Sequence, residues 1–175
     1  MMLYFIPMVE RMNSPEAPRS VPTVRVVIHN PEGNILLLQK SPDSKAAHLW
    51  ELPGGKMDLR MQQDVNPTTI RSTAVREVAE ETTIALSEAN LRIGGSFDYG
   101  FSAKGKEYQR KVIMVHAQLT TVPEVSVGSL QTAEGTSEDK HSRYGWFSPE
   151  EIREMSQNNK LSGNSNELSL VFAKP

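Results

Sequence analysis

The stretch REVAEETTI, residues 76–84, places three glutamates on one side of a predicted helix. At about 100° per residue, Glu77, Glu80 and Glu81 fall within an arc of roughly 100°. Like charges one turn apart repel each other, and no lysine or arginine follows three or four residues later to offset them. Arg76 can reach Glu80, but in the less favourable basic-before-acidic order. The pattern leaves two interpretations: a solvated acidic face, or a divalent cation held between carboxylates, which Mg²⁺ accepts as ligands.

The residues before this stretch define the helix that carries it. Asn66 is a good N-cap and is followed by a proline, which favours a helix start at this point. Ile70, Ala74 and Val78 recur at helical spacing and form an apolar stripe beside the glutamates. The pattern predicts a helix from about 67 to 86.

Composition limits the class of protein. The chain has 175 residues, 38% of them hydrophobic and 23% charged, which is typical of one ordinary globular domain. The net charge of −2 provides no basic footprint, so we do not favour a nucleic-acid partner. Cysteine is absent, which suits a cytoplasmic protein. The apolar start MMLYFIPM is too short for a membrane span, so we expect no membrane partner.

The remaining elements are predicted mostly as hairpin strands. A β-branched or alternating pattern marks strands at 21–30, 35–41, 48–56, 91–101, 106–121 and 143–148, and a serine-proline start marks a second helix at 149–157. Strands mixed with two helices indicate an α+β sandwich rather than a doubly wound parallel sheet.

The segment ELPGGK (51–56), followed by REVAEE (76–81), resembles the Nudix box of the MutT-like Nudix hydrolase superfamily. The flanking strands and the later WFSPEEI agree with that resemblance. It covers roughly residues 21–157, with tails at 1–20 and 158–175. The resemblance implies an α/β/α sandwich with a mixed central sheet and the Nudix loop-helix.

The resemblance also implies an activity. Nudix hydrolases split a nucleoside diphosphate linked to a moiety X into a nucleoside monophosphate and phosphorylated X. Mg²⁺ or Mn²⁺ would neutralise the phosphate charge and lower the pKa of the attacking water. Glu77, Glu80 and Glu81 are the implied metal ligands, together with the carbonyl of Gly55, and one glutamate is a candidate general base. The implied catalytic residues are Glu77, Glu80 and Arg76, the last holding the carboxylates in place.

The sequence departs from the family pattern in its spacing. Twenty residues separate Gly55 from Arg76, seven more than the pattern has. The first box glutamate consequently has no counterpart, because counting from either end reaches Met61 or Thr68. Asp58 and Asp64 are nearby substitutes. Since that glutamate is expected to brace the site, its loss would lower turnover more than it would affect folding.

A second departure is Thr83, which stands where the family has the glycine that ends the helix. A β-branched residue adopts the left-handed cap poorly. We therefore expect either that the helix continues for another turn or that the chain leaves it by a different route.

Later segments provide further candidate residues. Glu138, in the polar loop 132–142, is either an additional metal ligand or a solvated side chain. Trp50 and Tyr99 could stack on a base, although aromatic residues on strands more often belong to a core.

Two functions remain in competition at this stage. The leading hypothesis is a Nudix hydrolase that acts on a small nucleotide. Because many family members are dimers, the resemblance also suggests a homodimer. The alternative is a Nudix-like domain that binds or senses a nucleotide with weak or no turnover, which the insertion and the missing glutamate favour.

Overall fold

A computed structural model describes residues 19–44, 46–58, 60–103, 105–127, 141–162 and 171. The strands are β1 (Arg19–His29), β2 (Ile35–Lys40), β3 (Trp50–Glu51), β4 (Leu91–Ala103), β5 (Lys106–Gln118) and β6 (His141–Phe147). The helices are α1 (Pro67–Thr82) and α2 (Pro149–Gln157), with 3₁₀ turns at Met61–Gln63 and Glu88–Asn90.

These strands form one mixed sheet. The strand order is β3-β2-β1-β5-β4, and β6 pairs with β2 outside that order. β1 and β5 run parallel, in register from Arg19 opposite Tyr108 to His29 opposite Gln118. The β4–β5 and β2–β6 pairs are antiparallel. The predicted mixed sheet is therefore confirmed.

The two helices cover opposite faces of the sheet, because alternate residues of each strand point to opposite sides. Ile70, Ala74 and Val78 of α1 are buried in one apolar cluster with alternate residues of β1, β2 and β5. Ile152 of α2 is buried in a second cluster on the other face. This arrangement confirms the predicted α/β/α sandwich. No helix among the described residues has the length and apolar character needed to cross a bilayer.

The strand predicted at 48–56 is shorter than expected. β3 contains only Trp50 and Glu51, because the chain then leaves β2 and pairs with β1 instead. The carbonyl of Pro53 accepts a hydrogen bond from the Val26 N–H at 2.9 Å. Proline cannot donate a ladder hydrogen bond, so the segment changes partner at this residue.

The start of α1 agrees with the prediction. The Asn66 side chain accepts hydrogen bonds from the N–H groups of Thr68 and Thr69, and the Thr69 hydroxyl accepts one from the Asn66 N–H. This reciprocal pair satisfies donors that the first turn would otherwise leave unpaired. The seven extra residues thus lie before the helix, in a loop with one 3₁₀ turn.

The end of α1 differs from the prediction. The helix stops at Thr82 rather than near Leu86, and Thr83 itself takes the left-handed conformation, with φ of 63°. The Thr83 N–H donates to the Ala79 carbonyl at 3.1 Å. The chain therefore makes the cap that the family makes with glycine, despite the β-branched side chain.

We expect Thr83→Gly to stabilise the protein. A left-handed residue with a Cβ costs roughly 1–2 kcal/mol, whereas glycine loses roughly 0.5–1 kcal/mol of chain entropy on folding. The net gain should be about 0.5–1 kcal/mol in the free energy of unfolding, measured by urea denaturation. Thr83→Val keeps the branch and should be no more stable than the parent protein. A Thr83→Gly protein less stable than the parent would contradict this account.

Candidate active site

The segment after β3 that carries Gly54 and Gly55, called the glycine loop below, is hydrogen-bonded to β1. The Gly55 carbonyl accepts a hydrogen bond from the Val24 N–H at 2.9 Å, and the Met57 N–H donates to the Pro22 carbonyl at 3.0 Å. Gly54 has φ of 139°, and a Cβ at this position would collide with the Val24 carbonyl. Only glycine meets both the backbone angle and the close approach at this position.

Glu77 lies directly against this loop. Its carboxylate occupies the space that a Cβ on Gly55 would fill. Glu77 is 5% exposed, and its Oε1 lies 2.8 Å from Nη2 of Arg76. The glycine loop and α1 therefore meet at one buried carboxylate.

Arg76 connects several acidic groups. Its Nη1 lies 3.1 Å from Oε2 of Glu80, and its Nη2 lies 3.6 Å from Oδ1 of Asp58. The Nη2 group also donates to the Lys56 carbonyl at 3.3 Å. The like charges on α1 are thus partly neutralised within the protein by an arginine that reaches forward along the helix.

Of the two nearby substitutes for the box glutamate, Asp58 is the one whose carboxylate contacts Arg76. Asp64, the other candidate, uses its backbone carbonyl to accept from the Thr69 hydroxyl at the helix start. The contact between Asp58 and Arg76 is partly solvated, since the Asp58 side chain is 57% exposed.

Glu81 contacts the glycine loop at Gly54, next to the position of Glu77. Its Oε2 accepts a hydrogen bond from the Gly54 N–H at 2.9 Å, and its Oε1 lies 4.0 Å from Nδ1 of His141. Burial raises the pKa of Glu81, while His141 and the Gly54 N–H oppose that shift. An ionised Glu81 is therefore costly unless a further positive charge joins it.

A second buried carboxylate, Glu51 of the ELPGGK segment, lies beside this group. Its oxygens contact Nη2 of Arg25 at 3.2 Å, Nζ of Lys40 at 2.8 Å and Nε2 of His141 at 2.9 Å. Burial alone would raise the pKa of Glu51. The His141 hydrogen bond and the charges of Arg25 and Lys40 outweigh burial and lower the pKa to about 2.

The chemical types of the available oxygen donors fit a hard divalent cation. Carboxylate and carbonyl oxygens are the ligands that Mg²⁺ prefers, and the Gly55 backbone leaves room for Glu77 where a side chain would stand. The arrangement is not preassembled: among the described residues, no three His, Asp or Glu side chains converge as a metal-ligand group. Glu77, Glu80 and Glu81 are the side chains that would hold such a cation, and Glu80 is the most exposed of them, at 41%.

Comparison with known families agrees with this geometry. The model described as NUDIX domain matches residues 19–166, which is most of the chain. The chain belongs to the Nudix family. It is a Nudix hydrolase, a member of a class of enzymes that cleave phosphoanhydride bonds in nucleoside diphosphate derivatives.

Solved structures show the same fold. The MutT protein from Methanosarcina mazei Go1 is 25% identical, with 84% of this chain and 88% of that chain covered at a TM-score of 0.57. The E. coli dihydroneopterin triphosphate pyrophosphohydrolase is 17% identical, with 86% and 91% covered at a TM-score of 0.58. The NUDIX domain of Shewanella oneidensis NrtR, complexed with ADP ribose, is 16% identical, with 89% and 85% covered at a TM-score of 0.58. No curated protein matches the sequence significantly.

The predicted stacking residues lie apart in the Nudix domain. Trp50 is in β3 and meets Phe147 edge to face, with ring centroids 4.9 Å apart. Tyr99 is in β4, at the other end of the strand order, where it stacks on Phe97 and accepts a hydrogen bond from Arg110 at 3.0 Å. The Trp50 and Tyr99 side chains are both partly buried and pack against the apolar cluster that contains Ile152. Glu138 lies outside the described residues.

Sequence reasoning missed two residues of this site. His141 is one of four histidines scattered along the chain without metal-ligand spacing, which predicts a structural or exposed side chain, and Glu51 stands in the sequence as part of the glycine motif. One signal was available for Glu51, since a charged residue between Trp50 and Leu52 in a strand pattern requires a partner when it is buried. His141 carried no such signal, because its partner Glu51 lies 90 residues away along the chain.

We predict that Glu51→Gln destabilises the protein by roughly 3–5 kcal/mol at neutral pH, because it leaves buried cations without their carboxylate. The folded pKa of Glu51 lies below its ordinary value of 4.5, so the native state binds fewer protons than the unfolded state. This stabilisation is complete above about pH 4.5 and declines as the pH falls towards 2. Urea denaturation across the acid range should therefore show the difference between parent and variant shrinking below pH 4.5.

The matched control is Glu32→Gln, in the exposed turn between β1 and β2. Its stability should follow that of the parent protein at every pH. If the Glu51→Gln and parent curves ran parallel down to the lowest pH at which both fold, Glu51 would not be the group responsible.

We predict that Asp58→Asn lowers turnover about tenfold or more while changing the free energy of unfolding by less than about 1 kcal/mol, as expected for a partly solvated pair. The physical reason is that Arg76 loses a carboxylate that orients it. Asp64→Asn is the matched control from the same loop and should keep full activity. Equal activity of the two variants would show that Asp58 does not replace the missing box glutamate.

Proposed function

We propose that this Nudix hydrolase performs metal-dependent hydrolysis of a small nucleoside diphosphate derivative, releasing a nucleoside monophosphate and phosphorylated X. The observation that carries the proposal is the placement of Glu77, which is buried against the Gly55 backbone and held by Arg76 at 2.8 Å. A carboxylate fixed in this way, with Glu80 and Glu81 on the same helix face, would suit a divalent cation that neutralises charge on a diphosphate.

The roles proposed for the individual residues are those that the family resemblance implies. Glu77, Glu80 and Glu81 would hold Mg²⁺ or Mn²⁺, with the Gly55 carbonyl as a further oxygen donor. That carbonyl already accepts from Val24, but an oxygen with two lone pairs can take a second partner. Glu138 remains a candidate additional ligand. When bound, the cation neutralises charge on the diphosphate and lowers the pKa of the attacking water.

One of the three helix glutamates is the candidate general base. Burial raises the pKa of Glu81, and a bound cation would oppose that shift by favouring the ionised carboxylate. Arg76 keeps the Glu77 and Glu80 carboxylates oriented during the reaction. Trp50 and Tyr99 are the candidate contacts for the base or for X.

The observation that favours the nucleotide-binding alternative is that the contact between Asp58 and Arg76 is partly solvated. Asp58 contacts Arg76 at 3.6 Å from an exposed position, and its side chain is one methylene shorter than that of the glutamate in the family pattern. The solved Shewanella oneidensis NUDIX domain is complexed with ADP ribose, so binding of such a ligand is compatible with the fold. Cytoplasmic location and homodimer formation remain predictions from the sequence.

We predict that Glu81→Gln keeps the fold and abolishes metal-dependent turnover, since the amide can still accept from the Gly54 N–H but supplies neither a charge nor a base. The assay is nucleotide or phosphate release from a panel of nucleoside diphosphate derivatives and nucleoside triphosphates, with and without Mg²⁺ or Mn²⁺. Glu88→Gln, at an exposed 3₁₀ turn, is the matched control and should keep parental rates.

Two results would count against the proposal. Unchanged turnover in a folded Glu81→Gln protein would remove Glu81 from the mechanism. Absence of turnover by the parent protein on every panel member, with thermal stabilisation by a nucleotide still present, would favour the binding domain.

A further inference from the structure

The buried cluster around Glu51 draws one side chain from each of four strands. Arg25 comes from β1, Lys40 from β2, Glu51 from β3 and His141 from β6. These residues lie outside the helix that carries the candidate metal ligands. His141 also reaches that helix, with Nδ1 4.0 Å from Oε1 of Glu81, and the charge of Arg25 acts on Glu81 as well.

His141 has a carboxylate on each side of its ring. Its Nε2 lies 2.9 Å from Oε1 of Glu51, and its Nδ1 lies 4.0 Å from Oε1 of Glu81. The His141 side chain is only 4% exposed. A short contact on one side and burial all round leave the imidazole little freedom to rotate, so the Nδ1 edge stays directed at Glu81.

Glu81 is consequently restrained at both oxygens. The Gly54 N–H holds Oε2 at 2.9 Å, and the His141 ring limits the positions open to Oε1. At 4.0 Å the second contact is too long for a hydrogen bond, so it restrains by proximity and polarity. Groups that orient a ligating carboxylate in this way typically change metal affinity by about 10- to 100-fold when they are removed.

A purely structural role for His141 would be to satisfy Glu51. Lys40 and Arg25 already supply two positive charges within 3.2 Å of that carboxylate. The His141 hydrogen bond adds to these two charges and, against the opposing effect of burial, is the largest cause of the lowered pKa of Glu51. It uses only Nε2, however, so the placement of Nδ1 beside Glu81 needs a separate explanation.

We propose that His141 is a positioning residue for the Glu81 carboxylate, with Glu51 as the anchor that fixes the histidine ring, and that it thereby sets the affinity of the site for a divalent cation. This inference rests on the proposed function, because it takes Glu81 to be a metal ligand. It extends the site from the Nudix helix to β3 and β6.

Two variants separate the two edges of the ring. A glutamine amide can take the place of Nε2, so His141→Gln keeps a donor to Glu51 and loses the group facing Glu81. An asparagine amide can take the place of Nδ1, so His141→Asn keeps the group facing Glu81 and loses the contact with Glu51.

The measurement is Mn²⁺ binding without substrate, followed by the electron paramagnetic resonance signal of free Mn²⁺, together with thermal unfolding of each metal-free protein. We expect His141→Gln to bind Mn²⁺ about 10- to 100-fold more weakly with Tm near that of the parent. We expect His141→Asn to lose Tm but to bind Mn²⁺ more tightly than His141→Gln. In turnover assays, raising the Mn²⁺ concentration should restore most of the kcat of His141→Gln.

Parental Mn²⁺ affinity in His141→Gln would overturn the proposal and leave His141 as a packing partner of Glu51. So would a loss of metal affinity that simply follows the loss of Tm across both variants. If the parent protein binds no Mn²⁺ and shows no turnover, the proposed function itself fails. If the parent binds and turns over but His141→Gln matches it, only this inference fails.

A measurement on the parent protein covers the case in which the variants do not fold. Mg²⁺ added to protein with ¹⁵N-labelled histidine should shift the ring nitrogen signals of His141. The signals of His48, in an exposed turn, should stay in place. Absence of a His141 shift at a Mg²⁺ concentration that supports turnover would overturn the proposal.

Discussion

The buried carboxylate of Glu51 is the constraint on which the organisation of this domain depends. An isolated charge in the protein interior is strongly unfavourable, so it has to be paired and hydrogen-bonded. The partners of Glu51 come from β1, β2 and β6, and His141 of β6 lies 90 residues from Glu51 in sequence. The charge of Glu51 is therefore fully paired only when these strands are assembled around β3. Burial of this carboxylate thus depends on formation of the complete sheet.

The same assembly places the glycine loop. Arg25, which contacts Glu51, also donates to the carbonyls of Leu52 and Gly54 at 3.1 Å. The loop is thus held from β1 on one side while Glu77 and Glu81 of α1 approach from the other. The repulsion between the helix carboxylates is reduced in two ways, by an arginine on one flank and by a backbone N–H on the other. Their remaining negative charge is available for a cation.

The insertion before the helix is compatible with this arrangement because both of its ends are fixed. Met57 is buried and hydrogen-bonded to β1, and Asn66 caps the helix. Lengthening a loop between fixed ends costs little, since closure entropy grows only with the logarithm of its length. Asp58 lies just inside the first fixed end, which explains how it can reach Arg76 even though 17 residues separate the two in sequence.

Local pattern was enough for much of the architecture. The apolar spacing of α1, its asparagine cap and the start of α2 are short-range signals, and the structure confirms them. The termination of α1 at Thr82 was not predictable, because the propensity of threonine argues against the cap that Thr83 forms. The early end of β3 depended on an exchange of strand partners, which a single strand pattern does not contain.

The sequence by itself determined the α+β class, the Nudix motifs and the three helix glutamates, because these depend on residue type at short spacing. Only the tertiary structure decided which acidic group braces Arg76 and how His141 comes between Glu51 and Glu81. The physical reason is that burial and long-range pairing govern both. A partly solvated aspartate and a scattered histidine look ordinary in sequence, and they acquire their candidate roles only when distant strands bring carboxylates to them.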